Sequence, residues 1–419
     1  MNKAEIMTKK HDKKCPLAPR LRFPEFRDEW YSQALGTIAS IIKEKAEDKK
    51  CTLMSIITGV GLISQIDKFG KEIAGNQYKN YRILRKGDFA YNKSATKDYP
   101  QGFIALYTGN EIAAVPNSIF TCFKVQPESI VPAYLNYLFL GNFHGKWLRR
   151  YITVGARAHG SLSIDDDDLL SLPIPYPKGV SSLGEQQKIA DCLSSLDERI
   201  AAETSKLDRL KDHKKGLLKQ LFPAEGETLP QLRFPEFRDA GEWVQKIISD
   251  VCSISTGKSN TQDKNDDGIF PFYVRSAIIE RSTKYLYDEE AILTVGDGVG
   301  TGKVYHYVNG KYDLHQRVYR LFRFQNIDGK FLFYLFSTFF YDRVSKMSAK
   351  NSVDSVRMDM IAKMPISLPT LPEEQRIADC LSSLDELITA QTQKIDLLKD
   401  HKKGLMQQLF PRIDEVLHE

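Results

Sequence analysis

The chain has 419 residues, a formal charge of +5 and 42% hydrophobic residues, which is material for roughly two or three domains with real cores. No apolar run reaches the roughly eighteen residues of a membrane span, and no hydrophobic stretch follows the lysine-rich N-terminus, so the expectation is a soluble cytoplasmic protein. Six well-separated cysteines (Cys15, Cys51, Cys122, Cys192, Cys252, Cys380) lack any Cys-x-x-Cys pair, which excludes the common zinc spacings and a disulfide framework.

Residues 1–20 form a basic tail. LRFPEFRDEW follows at Leu21–Trp30 and returns as LRFPEFRDAGEW at Leu232–Trp243. Each copy opens a globular stretch, expected at 21–183 and 232–371. In the first, YRILRKGDFAYNK leads through the loop SATKDYPQG to FIALY and AAVPNSIFTCFKV. In the second, EEAILTV leads through GDGVGTGK to VYHYV and DLHQRVYRLFRF. Alternating β-branched and aromatic residues bounded by Gly, Asn and Asp read as strands. Helical stretches are expected at Pro132–Tyr151 and Lys330–Met347. Asp165–Asp168, after Ser163 and before two leucines, read as the cap of a short helix rather than a metal cluster. Both domains end on proline-spaced segments, LPIPYP at Leu172–Pro177 and MPISLP at Met364–Pro369.

Two long helices follow, expected at 184–223 and 372–411, with a linker at 224–231 between the first and the second domain and a short tail at 412–419. EQQKIADCLSSLDERIAAETSKLDRLKDHKKGLLKQLFP at Glu185–Pro223 is nearly repeated at Glu373–Pro411. In the first, apolar residues fall at Ile189, Leu193, Leu196, Ile200, Leu207, Leu210, Leu217 and Leu221. The second repeats them at Ile377, Leu381, Leu384, Ile388, Ile395, Leu398, Leu405 and Leu409. Steps alternating four and three keep one stripe facing a partner helix. Glu203 and Lys214 interrupt one stripe, Gln391 and Lys402 the other. Each helix spans roughly 45–50 Å at about 1.5 Å per residue, and two matched stripes can bury each other. The expected architecture is α+β: two globular domains separated by an antiparallel coiled coil, with a pseudo-twofold internal repeat.

Catalytic motifs are not intact. GDGVGTGK departs from the phosphate loop at both ends and runs into a strand rather than a helix, so a tight strand connection or a backbone approach to phosphates is the better reading. Glu47-Asp48-Lys49 lies in a charged run without a partner aspartate and reads as a solvated face. No Asn/Asp-Pro-Pro-Tyr/Phe motif of an amino-methyltransferase occurs.

The paired EQ-x-x-I-A-D-C-L-S-S-L-D helices, the LKDHKKGL stretches with their Q-L-F-P ends and the two LRFPEFR segments resemble the specificity subunit of type I restriction-modification systems, from about Leu21 to Pro411. The resemblance implies two target recognition domains, each reading half of a bipartite site on double-stranded DNA. The helices would set the spacer and dock two methyltransferase subunits, with restriction (motor-nuclease) subunits joining. The chain itself would do no chemistry, S-adenosylmethionine, ATP and magnesium belonging to the partners.

Base readout needs polar side chains on loops that enter a groove. The first domain offers Tyr91, Asn92, Lys93, Ser94 and Lys97, with Arg157 and His159 in a later loop. The second offers Lys258, Ser259, Asn260, Arg275, Thr301, Lys303, Gln316, Arg317, Lys350 and Asn351. Rival readings are a specificity subunit of another defence system with the same architecture, or a structural adaptor that does not read DNA.

Overall fold

The computed structural model describes residues 17–73, 75–152, 162–224, 226–298, 300–347, 355–412 and 416. The chain divides into two compact units. One holds the residues up to Ala202 together with those from Ile395 onward; the other is Glu203–Lys394.

The first unit begins with β1 (Trp30–Ala34), β2 (Ala39–Ile41), β3 (Thr52–Ile57), β4 (Gly61–Ser64), the one-turn α1 (Gln65–Phe69) and β5 (Arg82–Leu84). β6 (Phe89–Asn92), β7 (Phe103–Leu106), β8 (Ala113–Val115) and β9 (Phe120–Val125) follow. Then come α2 (Pro132–Leu140), α3 (Phe143–Leu148), α4 (Asp166–Leu170), β10 (Pro173–Pro177) and the start of α5 (Ser182–Leu221). Two four-stranded sheets, ordered β2-β9-β6-β7 and β4-β3-β8-β5, carry the domain. The single helix expected at 132–151 is broken into α2 and α3, because Asn142 turns left-handed at φ 57° directly after Gly141. The aspartate run is a cap, as read: Asp165 Oδ1 accepts from the Asp168 N–H at 2.7 Å, the Asp168 carboxylate faces back to the Asp165 N–H, and α4 follows.

The second unit contains β11 (Val244–Ile247), β12 (Ser253–Thr256), β13 (Phe270–Tyr273), β14 (Ile279–Ser282), β15 (Tyr287–Val295), β16 (Tyr305–Leu314) and β17 (Val318–Phe322). α6 (Gly329–Met347), α7 (Met358–Ala362), β18 (Pro365–Leu368) and the start of α8 (Leu371–Leu409) complete it. Its main sheet has six strands in the order β12-β17-β15-β16-β13-β14.

The proline-spaced segments prove to be strands. β10 pairs antiparallel with β1, Trp30 opposite Pro177, and β18 pairs with β11, Val244 opposite Leu368. Prolines at every second position leave one side of β10 without N–H groups, which suits a two-stranded ribbon and not the interior of a sheet. These ribbons join the entry of each domain to its exit, where the long helix begins.

The helix ends pack inside the units, and the pairing is antiparallel in each. In the first unit, Ile189 and Leu193 of α5 share a core with Leu409 of α8 and Phe410 just after it. In the second, Leu221 and Phe222 share one with Ile377 and Leu381. All sixteen stripe residues are buried or half-buried. The polar interruptions are the pairing contacts. Glu203 accepts from Gln391 Nε2 at 2.7 Å and meets Lys394 at 2.5 Å. Lys214 meets Asp385, and Lys402 meets Asp197, each at 2.5 Å.

Each unit locks its domain to the long helices with the same three devices. Arg22 of the first LRFPEFR segment clamps Glu185 through two bonds of 2.7 and 2.8 Å, and Arg233 of the second clamps Glu373 through two of 2.7 Å. Both glutamates are fully buried at helix starts, where the positive end of the helix favours the carboxylate and the guanidinium fork meets both of its oxygens. One residue on, Gln186 accepts from the Val131 N–H at 2.8 Å and Glu374 from the Asp328 N–H at 2.7 Å, so each long helix caps its domain helix. Finally, Tyr137 donates to Asp197 at 2.8 Å beneath Lys402, and Tyr334 to Asp385 at 2.7 Å beneath Lys214. Burial, then the carboxylate bond, pushes the Tyr137 phenol up.

Candidate nucleic-acid interface

In the second unit, four loop segments converge at one end of the main sheet. Two glycines of GDGVGTGK make this possible. A Cβ on Gly296 would lie 2.9 Å from the Arg317 carbonyl, and one on Gly300 would lie 2.8 Å from the Arg275 carbonyl. Neither position tolerates a side chain, so the loop is the tight strand connection, and it leads into β16. Gln316 Nε2 donates to the side-chain Oδ1 of Asn260 at 2.5 Å, and the Gln316 backbone N–H donates to Ser259 O at 2.9 Å. Asp297 lies between the two arginines, 3.5 Å from Arg275 and 3.7 Å from Arg317. Those arginines are 50% and 64% exposed, enough to be taken up by another acceptor. Beneath them His315 Nδ1 accepts from the Arg317 N–H at 3.0 Å. Burial, then the neighbouring Arg275, pushes the His315 pKa down, so the ring stays neutral.

Lys258, Asn260, Arg275, Gln316 and Arg317 thus share one surface, with Lys258, Arg275, Gln316 and Arg317 exposed and Asn260 half-buried. Lys303 is also exposed, but its ammonium lies over the Tyr341 ring. Two candidates point inward. Ser259 is buried and donates to Asp313 at 2.6 Å, and Thr301 is buried with its hydroxyl on Gly298 O at 2.5 Å. Both hold loops and present no free atom to a groove. Lys350 and Asn351 lie outside the described residues.

The first unit divides its candidates the same way. Tyr91 is fully buried, donating to Gln101 O at 2.8 Å. Asn92 is buried with its oxygen on the Ser94 N–H at 3.0 Å, so both brace the loop that follows. Lys93 and Ser94 are half-buried and Lys97 is exposed at the loop tip. Gly102, at φ 82° and with Asn92 O where a Cβ would be, closes this loop. Arg157 and His159 lie outside the described residues. The residue that sequence reasoning passed over is Asp297, seen there only as a misfit to a phosphate loop; a lone acid in a glycine loop near arginines was the available signal.

The type I restriction modification DNA specificity domain, as a family profile, matches residues 28–212 and again 240–400. The chain belongs to this specificity family. Among its relatives, the putative type I restriction enzyme MjaX specificity subunit of Methanocaldococcus jannaschii is 24% identical, over 92% of this chain and 94% of its own. The MjaVIII specificity subunit of the same organism is 26% identical over 59% of this chain and 63% of its own. The crystal structure of the type I restriction-modification S subunit from M. genitalium shares the fold, with a TM-score of 0.61 at 14% identity, covering 94% and 99% of the two chains. A chain from a structure of complex assembly and conformational transition in the type I R-M system gives 0.54 at 17% identity, covering 92% and 99%. The specificity family is one of DNA recognition, and its domain is present here twice. No helix among the described residues is long and apolar enough to cross a membrane.

Proposed function

We propose that this specificity chain reads a bipartite DNA site, one half with each globular domain, and targets a methyltransferase and restriction complex to it. The observation that carries the reading is duplication around variable cargo. Both domains are fastened by the same Arg–Glu clamp and the same Tyr–Asp–Lys contact, whereas their sheets differ. A device that fixes position and lets the readers vary is what a split site requires. Arg275, Gln316, Arg317, Lys258 and Asn260 would serve the second half-site, and Lys93, Ser94 and Lys97 the first. Guanidinium and amide groups are the side chains that pair base edges bidentately. The long helices set the spacer, half-sites on one DNA face being about 34–36 Å apart per turn, and dock two methyltransferase subunits. The chain contributes targeting and no chemistry: S-adenosylmethionine, ATP and magnesium act in the methyltransferase and motor-nuclease partners.

The test is a methylome. The chain is expressed with the methyltransferase subunit of its operon, and host DNA is sequenced for methylated adenine. A split motif with a fixed gap, lost when this chain is deleted, is the expected result. Methylation that persists without the chain would favour an adaptor that does not read DNA.

A further inference from the structure

The loop that carries Asp297 is fastened on both sides to the residues it faces. The Gly296 N–H donates to the Arg317 carbonyl at 2.8 Å, the Gly296 carbonyl accepts from the Val356 N–H at 2.8 Å, and Asp297 itself bridges Ser355. With no room for a Cβ at Gly296 or Gly300, this backbone lies against the carbonyls of Arg317 and Arg275 and sets the carboxylate between their guanidiniums. Arg275 faces it through Nη1 and Arg317 through Nε, which leaves both terminal nitrogens of Arg317 for another acceptor. Oδ1 of Asp297 is buried and, among the described residues, accepts no hydrogen bond. An acceptor left so lowers stability, and folding alone does not account for a carboxylate here. The other carboxylates of these loops are occupied: Asp313 accepts from Ser259 and Ser282, and Asp263 from the Asn260 N–H.

Two guanidiniums without a counter-charge would take any DNA phosphate, and the backbone offers one at every step. Asp297 leaves the arginine pair a single net positive charge and sets a negative charge where a phosphate would approach. The edge of a guanine carries no net charge, and its O6 and N7 accept two donors from one guanidinium. Arg317 can make that contact through its terminal nitrogens while Nε stays on Asp297. We infer that Asp297 determines specificity in the second half-site: it aims the two arginines and repels phosphate, so that they hold a guanine edge in preference to backbone. This role rests on the DNA-reading function proposed above. It makes Asp297 a positioning residue that acts through Arg275 and Arg317.

The test compares wild type with Asp297→Asn, which keeps the volume and removes the charge, using the full chain co-expressed with the methyltransferase subunit. Binding is measured over a salt series to the duplex carrying the methylated motif, to duplexes altered in either half, and to an unrelated duplex. The variant should bind the unrelated duplex about fivefold more tightly, with a salt slope steeper by about one unit. Its discrimination should fall about tenfold in one half of the site and stay unchanged in the other. A loop that was merely damaged would lose affinity for every duplex, so the sign of the first effect separates the two roles. Should Asp297→Asn lower the melting point, Asp297→Ser removes the same charge without filling its space, and the same measurements decide. Unrelated-duplex affinity that is unchanged or lower in a variant that melts like wild type overturns the inference. So does loss of discrimination in both halves, or an affected half built of A·T pairs alone. A variant that loses only cognate affinity would make Asp297 a direct acceptor for a base and overturns it as well. If wild type does not distinguish the duplexes at all, the functional reading fails first, and the inference with it.

Discussion

Arg275 and Arg317 are held over one carboxylate, Asp297, at distances long enough to yield. Pre-positioned guanidiniums lose less freedom on binding than free ones, so substitution at Arg317 should be felt at its own bases. Arg317→Ala is expected to cost about 1–3 kcal/mol of discrimination in one half of the site. Competition binding with duplexes altered in either half would show this. Equal loss at both halves, or none, removes Arg317 from base readout. A second residue-scale prediction concerns pH. Burial pushes the Glu374 carboxyl up to about 7, against the Asp328 N–H, which favours its charge; Asp328 raises it slightly and Lys246 opposes. The adjacent Glu373 is neutralised by Arg233. The folded state therefore holds a proton that the unfolded chain releases near the ordinary value of 4.5. Its stabilising effect is full below that value, declines as pH rises and is gone above about 7. The equivalent residue in the first half is Gln186, which makes the same bond without titrating. Glu374→Gln should flatten the fall in thermal midpoint between pH 5 and pH 8. An identical fall in variant and wild type would discard this account.

At the scale of elements, the entry segment and the long helix of each half meet through a buried pair. Glu373 is fully buried and Arg233 is 9% exposed. Removing one partner leaves a buried charge, so Arg233→Met should cost about 3–5 kcal/mol in urea unfolding. The Arg233→Met/Glu373→Met double variant should recover most of that loss, because two apolar groups leave nothing unpaired. A double variant as weak as the single one would show that packing, not charge, holds the junction. Much of this scale was legible in the chain. The stripe on each helix, the aspartate cap and the strand after GDGVGTGK all follow from neighbours within a few residues. The β1–β10 and β11–β18 ribbons were not legible, since each joins segments more than a hundred residues apart and proline spacing alone does not name a partner.

For the whole molecule, each long helix begins in one compact unit and ends in the other, so each core is built on an end of both helices. Removing one heptad from each helix, around Glu203 and Gln391, keeps the apolar stripe in phase. Under the proposed function it should change the gap in the methylated motif or abolish methylation. An unchanged gap with full activity would end the ruler reading.

The amino-acid sequence determined the duplication, the two helices, the antiparallel possibility and the family, because repeats and periodic patterns are local and need no partner to be seen. It also marked Glu203, Lys214, Gln391 and Lys402 as breaks in the stripe. The tertiary structure decided what those breaks are for, pairing them with Gln391, Asp385, Glu203 and Asp197. It also sorted the recognition candidates, turning Tyr91, Asn92, Ser259 and Thr301 inward and leaving Arg275, Gln316 and Arg317 outward. A polar residue in a loop has the same sequence signature whether it braces the loop or faces solvent. Only the carbonyls and carboxylates brought to it from distant segments settle which it does.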